Sequence, residues 1–198
     1  MNIEQVKKKI NKKTLAIFIT HAQGFNGLNK DLIKIINKKK IILIEDVCES
    51  HGATFLGKKL GTFGKISNFS FYFAHHMTTI EGGMISTNDK KIYELSRIFR
   101  SHGMAREAKN NQFEKKMIKK YNKLSPQFIF LYPTLNFRNN EIGAVLGINQ
   151  LKSLNRNNLA RSKNFKIFLQ NLNNKKYWTN FKVNESCNYA FPVILKTK

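Results

Sequence analysis

Cysteine is scarce in this sequence: Cys48 and Cys187 are the only two in 198 residues and lie far apart, so the chain alone builds neither a disulfide scaffold nor a four-thiolate metal site. A reducing compartment suits it. Long apolar runs are missing too. No stretch of about 18 uncharged apolar residues occurs, and no apolar signal core follows the basic N-terminus, so a soluble, cytoplasmic protein is expected, without a membrane partner. Acidic residues number 12 against 35 Lys and Arg, a formal charge of +23. Such a charge raises nucleic acid or anionic membranes as partners through counterion release. The basic residues, however, fall in tracts such as Lys7 to Lys9, Lys38 to Lys40 and Lys115 to Lys120, amid many Asn and Ile. That is the signature of an A+T-rich genome acting on solvated positions, and no nucleic-acid recognition motif accompanies it. At 41% hydrophobic and 12% aromatic residues the chain is too apolar to be disordered.

The hydrophobic pattern predicts an α/β fold. A short basic helix over residues 2 to 10 precedes an apolar strand, Leu15 to Thr20, whose two faces should both be covered. A turn-rich segment, His21 to Gly27, leads to a helix over Lys30 to Lys38 and a second buried strand, Ile41 to Glu45. This is a βαβ unit with parallel strands, and functional groups should collect at the strands' carboxyl ends. Gly57, Gly61 and Gly64 punctuate the chain before an aromatic strand, Asn68 to Phe73, and a short strand, Gly83 to Thr87. Asn88 or Asp89 caps a helix carrying Ile92, Leu95, Ile98 and Phe99 and ending near Arg100. Residues 104 to 125 read as a polar, basic loop plus a helix, and Pro126 to Pro133 as an apolar connection. Two helical segments are expected between Asn140 and about Asn173, and a strand-like Tyr189 to Leu195, which Pro192 confines to an edge.

Chemistry concentrates between Ile44 and Thr87. Asp46 ends a buried strand, where a carboxylate needs a partner. A protonated pyridine nitrogen is one such partner, and capping of a following helix is an equal alternative. Ser70 can donate to a phosphate oxygen or simply be exposed. The ordered motifs E-D-x-C-E-S-H-G-A, G-T-F-G, S-F-Y and E-G-G, continued by Arg100 to Gly103, Leu135 to Glu141 and Gly147 to Leu151, resemble the DegT/StrS-type family of pyridoxal-phosphate-dependent nucleotide-sugar aminotransferases along nearly the whole chain. The resemblance implies part of an aspartate-aminotransferase-like (fold type I) large domain with a mainly parallel sheet over residues 1–140. Residues 141–198 would be connecting helices and the beginning of the small domain.

In that family a lysine five residues after the S-F-Y serine bonds covalently to the cofactor; here that position is His75. Imidazole has no primary amine but suits proton transfer near neutrality. His75 followed by His76 resembles the 3-dehydratase branch. The resemblance implies pyridoxal or pyridoxamine 5'-phosphate held noncovalently and used to remove the 3-hydroxyl of an NDP-4-keto-6-deoxyhexose, with GDP as the expected nucleotide, in dideoxysugar and O-antigen polysaccharide synthesis. Glutamate would restore the amine. By family position His75 is the catalytic base and acid, Asp46 the pyridine-nitrogen partner, Glu49 a neighbour of the ring hydroxyl, and Ser70 a phosphate contact. Asn136 would reach the cofactor phosphate of a neighbouring subunit, although Thr134 replaces the family's glycine there, and a shared site implies a dimer. His102 and His76 are possible active-site support; closing a helix end is as good a reading of His102. His21 and His51 read as packing or loop residues.

The cysteines that relatives use for an iron–sulfur cluster are absent, so no cluster is expected, and the five histidines match no metal-ligand spacing. Family members are about twice as long, and the part supplying a phosphate-binding turn and helix N-terminus is not in this sequence. The expectation is therefore a fragment, one half of a split enzyme that assembles with a separate N-terminal half, or a degraded copy. An inactive relative or an ordinary nucleotide-sugar transaminase is the alternative.

Overall fold

The computed structural model describes residues 1–196. It contains two compact units, one made of residues 1–84 together with the chain from Ile142 onward, the other of Ile85–Glu141.

The first unit starts with helix α1 (Ile3–Lys9), strand β1 (Ala16–Thr20), helix α2 (Lys30–Lys39) and strand β2 (Ile42–Asp46). Asn29 sets the start of α2 by accepting the Leu32 amide at 2.8 Å, and Lys40 ends it in a left-handed conformation. After the small hairpin of β3 (Thr54–Phe55) and β4 (Lys58–Lys59), β5 (Ile66–Ser70) returns to the main sheet. Strand β6 (Gly83–Ser86) follows β5 in the order β1-β2-β5-β6. The pairs β1–β2 and β2–β5 are parallel, with Thr20, Asp46 and Asn68 in register at their carboxyl ends. The expected βαβ unit is therefore present.

Side-chain alternation gives the sheet two different faces. Ile19, Leu43 and Val47 turn inward and, with Leu28, Leu32, Ile36, Phe55 and Leu60, form the core. Each such side chain contributes roughly 2 kcal/mol by leaving water. The opposite face is open: Phe18 is 59% exposed and Ile42 41%. The expectation that both faces of β1 are covered fails, because α2 packs on one side only.

The last long element of this unit, α5 (Glu141–Asn171), is one continuous helix of 31 residues and not two segments. The polar stretch Asn155 to Asn164 holds neither Gly nor Pro, and Leu154 and Phe165, eleven residues apart, return to the same side after three turns and are both buried. Phe165 packs against Phe25, Phe181 and Phe191. The expected strand over Tyr189 to Leu195 shrinks to one bridge between Tyr177 and Leu195. Residues 187–189 instead return beside the turn after β1, where the Cys187 amide donates to the Gly24 carbonyl and the Tyr189 amide to that of Gln23.

The second unit holds α3 (Lys90–Phe99) and α4 (Asn111–Lys120). Asp89 caps α3 by accepting the amides of Lys91 and Ile92. Among the described residues no helix is long and apolar enough to cross a membrane.

Candidate functional site

The open face carries the chemistry expected at strand ends. Asp46 Oδ1 accepts from the Asn68 side-chain amide at 3.0 Å and from the Cys48 backbone N–H at 3.1 Å, and Oδ2 from the Thr20 hydroxyl at 3.4 Å. The Cys48 bond closes a turn, not a helix, so the capping alternative survives only in that local form. Four lone-pair sites less these donors leave the carboxylate room for a further cation. Ser70 lies two residues beyond Asn68 on the same face. Its Oγ accepts the Tyr72 amide at 3.3 Å, which turns the chain out of β5 and ends the strand before the expected Phe73. The hydroxyl proton is left to donate outward. Glu49 is already engaged, accepting the Gln23 amide at 2.6 Å and so holding the turn after β1. Burial, then the bond to Asp46, pushes the Cys48 thiol up to about 12, so it is inert near neutrality.

His75 and His76 sit in a bent segment after β5. Extended backbone would have sent the two rings to opposite sides; the bend lets both approach His51, with centroids 6.2 Å and 5.8 Å away, and both approach Tyr189. His76 Nε2 bonds the Cys187 carbonyl at 3.0 Å. His75 also touches Tyr72 edge-on. Asp46 and His75 are thus held by separate sets of neighbours.

Burial, reinforced by His76 and His75, lowers His51 to about 4; burial also lowers His76 to about 4 against the opposing Cys187 bond. In the unfolded chain both titrate near 6.5. Their neutral forms therefore support the fold fully above about pH 6.5, and that support drains away as pH falls toward 4, by at most about 1.4 kcal/mol per pH unit per histidine. Urea midpoints measured from pH 7 to 4.5 should begin to fall near pH 6.5. A flat profile down to pH 5 would contradict the neutral, buried assignment.

On the core face, Glu45 is fully buried and accepts four hydrogen bonds: from the backbone amides of Gly61 (2.8 Å), Phe63 (2.8 Å) and Gly64 (2.6 Å), and from His21 Nε2 (3.2 Å). The Gly27 amide donates to His21 Nδ1 at 3.1 Å, which places that ring's proton on Nε2. Burial pushes the Glu45 carboxyl up, but the His21 bond and the Gly61, Gly64 and Phe63 amides outweigh it and hold the carboxyl below its ordinary value. Gly64 must lack a side chain here, since a Cβ would stand 2.8 Å from the Leu43 carbonyl oxygen. This pair was not singled out from the sequence, yet a signal existed: of two successive acids ending a buried strand, one must point into the core.

In the second unit, Asn136 and His102 lie side by side. Ser101 and Asn136 form an antiparallel bridge, and the His102 amide donates to the Leu135 carbonyl at 3.0 Å. Asn136 is exposed, its Oδ1 accepting from the Arg138 backbone amide at 3.0 Å. Among the described residues no group of three or more His, Cys, Asp and Glu side chains is placed to hold a metal ion.

Comparison with known proteins gives a consistent result. The DegT/DnrJ/EryC1/StrS aminotransferase family profile matches residues 1–198. The chain is 36% identical to GDP-4-keto-6-deoxy-D-mannose 3-dehydratase of Escherichia coli O55:H7 and 33% identical to the enzyme of that name from Yersinia pseudotuberculosis, covering 99% of this chain and 50% of each relative. A solved structure of the E. coli dehydratase with bound hydrated PLP superposes with a TM-score of 0.83 at 35% identity, over 100% of this chain and 51% of that one. Another of GDP-4-keto-6-deoxymannose-3-dehydratase, with a trapped PLP-glutamate geminal diamine, gives 0.81 at 32%, over 100% and 51%. The chain spans about half the length of the curated relatives it matches, and its fold is that part of theirs.

Proposed function

Because the chain belongs to the DegT/DnrJ/EryC1/StrS aminotransferase family, we propose that it supplies the catalytic histidine of a pyridoxamine-phosphate-dependent 3-dehydratase acting on a GDP-linked 4-keto-6-deoxyhexose. The observation that carries this reading is the replacement of the family lysine by His75, with no lysine anywhere between Lys65 and Lys90. Relatives whose names join GDP-4-keto-6-deoxymannose to 3-dehydration support it.

The residues fit the cofactor. Asp46 offers a partly satisfied carboxylate on an open face, suited to a protonated pyridine nitrogen, and Ser70, on the same face two residues beyond its register partner Asn68, has a hydroxyl proton for a phosphate. When bound, pyridoxamine 5'-phosphate supplies an amine for the sugar ketone and a ring that accepts an electron pair. Asp46 keeps the ring nitrogen protonated. His75 would act as the proton carrier, its imidazole taking up the proton that the bound cofactor gives up and returning it to the departing 3-hydroxyl, which would leave as water. Glu49, held by Gln23, borders the ring hydroxyl. Asn136 serves the cofactor phosphate of a neighbouring subunit, and His102 and His76 support the site. Residues 1–140 would then be the C-terminal part of a cofactor-binding large domain and residues 141–198 the start of the small one. The working assembly is a homodimer, or a complex with a polypeptide carrying the N-terminal half, in the cytoplasm, with glutamate as amino donor.

A transaminase reading is favoured by the 37% identity to GDP-perosamine synthase of E. coli O157:H7 over 105 residues. It requires the missing lysine. The test adds pyridoxamine phosphate and GDP-4-keto-6-deoxymannose to the assembled protein and follows ammonia. Asp46→Asn should slow release by about 10²–10³-fold, the usual cost of a deleted electrostatic partner, with stability little changed because the turn to Cys48 persists. Normal turnover in that variant would contradict the assigned role.

A further inference from the structure

Five buried side-chain atoms without a hydrogen-bond partner lie along one seam: both ring nitrogens of His51, Nδ1 of His75, Nδ1 of His76 and Oδ1 of Asn158. They belong together. The rings of His75 and His76 flank that of His51, and Asn158 on α5 donates its Nδ2 to the His51 carbonyl at 2.7 Å. His51 is only 4% exposed and is otherwise faced by Phe69 and Phe71. An unpaired buried polar atom costs about 1–3 kcal/mol, so five of them in one place call for a partner. A direct N–H···N bond between two imidazoles needs centroids about 5 Å apart. At 6.2 Å, His51 and His75 stand beyond that range, at a spacing that one water bonded to their unpartnered ring nitrogens would span.

We propose that His51 is a positioning residue acting through His75: a water bridging the two rings lets His51 hold the proton that His75 has taken up and hand it back before the hydroxyl departs. This rests on the dehydratase reading above. The balance is simple. His75 gains a proton on its outer nitrogen from the cofactor carbon, releases the one on Nδ1 through the water to a His51 ring nitrogen, and the reverse transfer delivers a proton to the leaving oxygen; no electrons are exchanged with His51. The groups around the seam are His76, the phenols of Tyr72 and Tyr189, and Arg161, whose positive charge acts on His76, so a proton held on His51 is handed back and not kept. Arg161 is itself fixed by the Tyr189 carbonyl at 2.9 Å.

The experiment uses the assembled protein, with imidazole ¹⁵N NMR as a readout independent of turnover. His51→Phe keeps an aromatic ring but removes the water's partner, and the His75 titration midpoint should move down by about one pH unit. His51→Gln restores a hydrogen-bond partner that cannot carry a proton. In it the His75 midpoint should return to within about 0.3 unit of wild type, while kcat for ammonia release stays at least tenfold low and KM is unchanged. Recovery of kcat in His51→Gln, or an unmoved His75 midpoint in a folded His51→Phe protein, would overturn the proposal. If no variant, wild type included, releases ammonia but the midpoint still follows His51, the dehydratase reading fails while the pairing of the two rings stands. His75-dependent turnover that ignores His51 fails the pairing alone.

Discussion

Glu45→Gln should lower the stability of the chain by about 3 kcal/mol, the cost of leaving buried donors without the charged acceptor they point at. The substitution is nearly isosteric, so no cavity contributes. The cost comes from polarity. The carboxylate receives four donors, and a carboxamide puts its own N–H₂ against at least one of the amides of Gly61, Phe63 and Gly64 or against His21. For a chain of this length the melting temperature should fall by about 10 °C. Urea unfolding at pH 7.5 measures it, and a loss below about 1 kcal/mol would show that the Gly61–Gly64 loop does not depend on this pin. The pH dependence separates Glu45 from the histidines. A carboxylate with a lowered pKa contributes its stability fully above about pH 4.5 and loses it only as pH falls through that lowered value, whereas the loss from His51 and His76 starts near pH 6.5.

His75→Asn should leave the fold intact and abolish ammonia release by about 10²–10⁴-fold, the contribution of a positioned proton-transfer group. His75 is half-buried and makes ring contacts with no side-chain hydrogen bond among those described, so an Asn costs little stability there. His75→Lys makes the complementary change. It restores a primary amine at the family position, and borohydride treatment with pyridoxal phosphate should then tag the peptide spanning residues 66–90. The wild-type peptide has only Lys90 at its end and should stay untagged at position 75.

Much of the fold was legible because its signals are local. Two apolar runs flanking an amphipathic helix specify parallel strands, and Asp89 caps its helix within three residues. Asp46 and Ser70 are legible from their places at strand ends and from the family motif; that Thr20 and Asn68 share their face follows only from the strand register. What escaped is long-range. His21 meets Glu45 across 24 residues of sequence and His76 meets Cys187 across 111. The continuity of α5 rests on two buried anchors, and a polar run between them hides it. His51 read as a packing residue because nothing near it in sequence shows that His75 and His76 bend toward it.

In the proposed function, an imidazole at position 75 turns an amine cofactor to deoxygenation. The most direct measurement supplies wild-type and His75→Asn protein with pyridoxamine phosphate and GDP-4-keto-6-deoxymannose and follows ammonia and the 3-deoxy sugar together. Equal amounts of both are expected from wild type and neither from the variant. A 4-amino sugar with no ammonia, or equal deoxygenation by both proteins, would contradict that function.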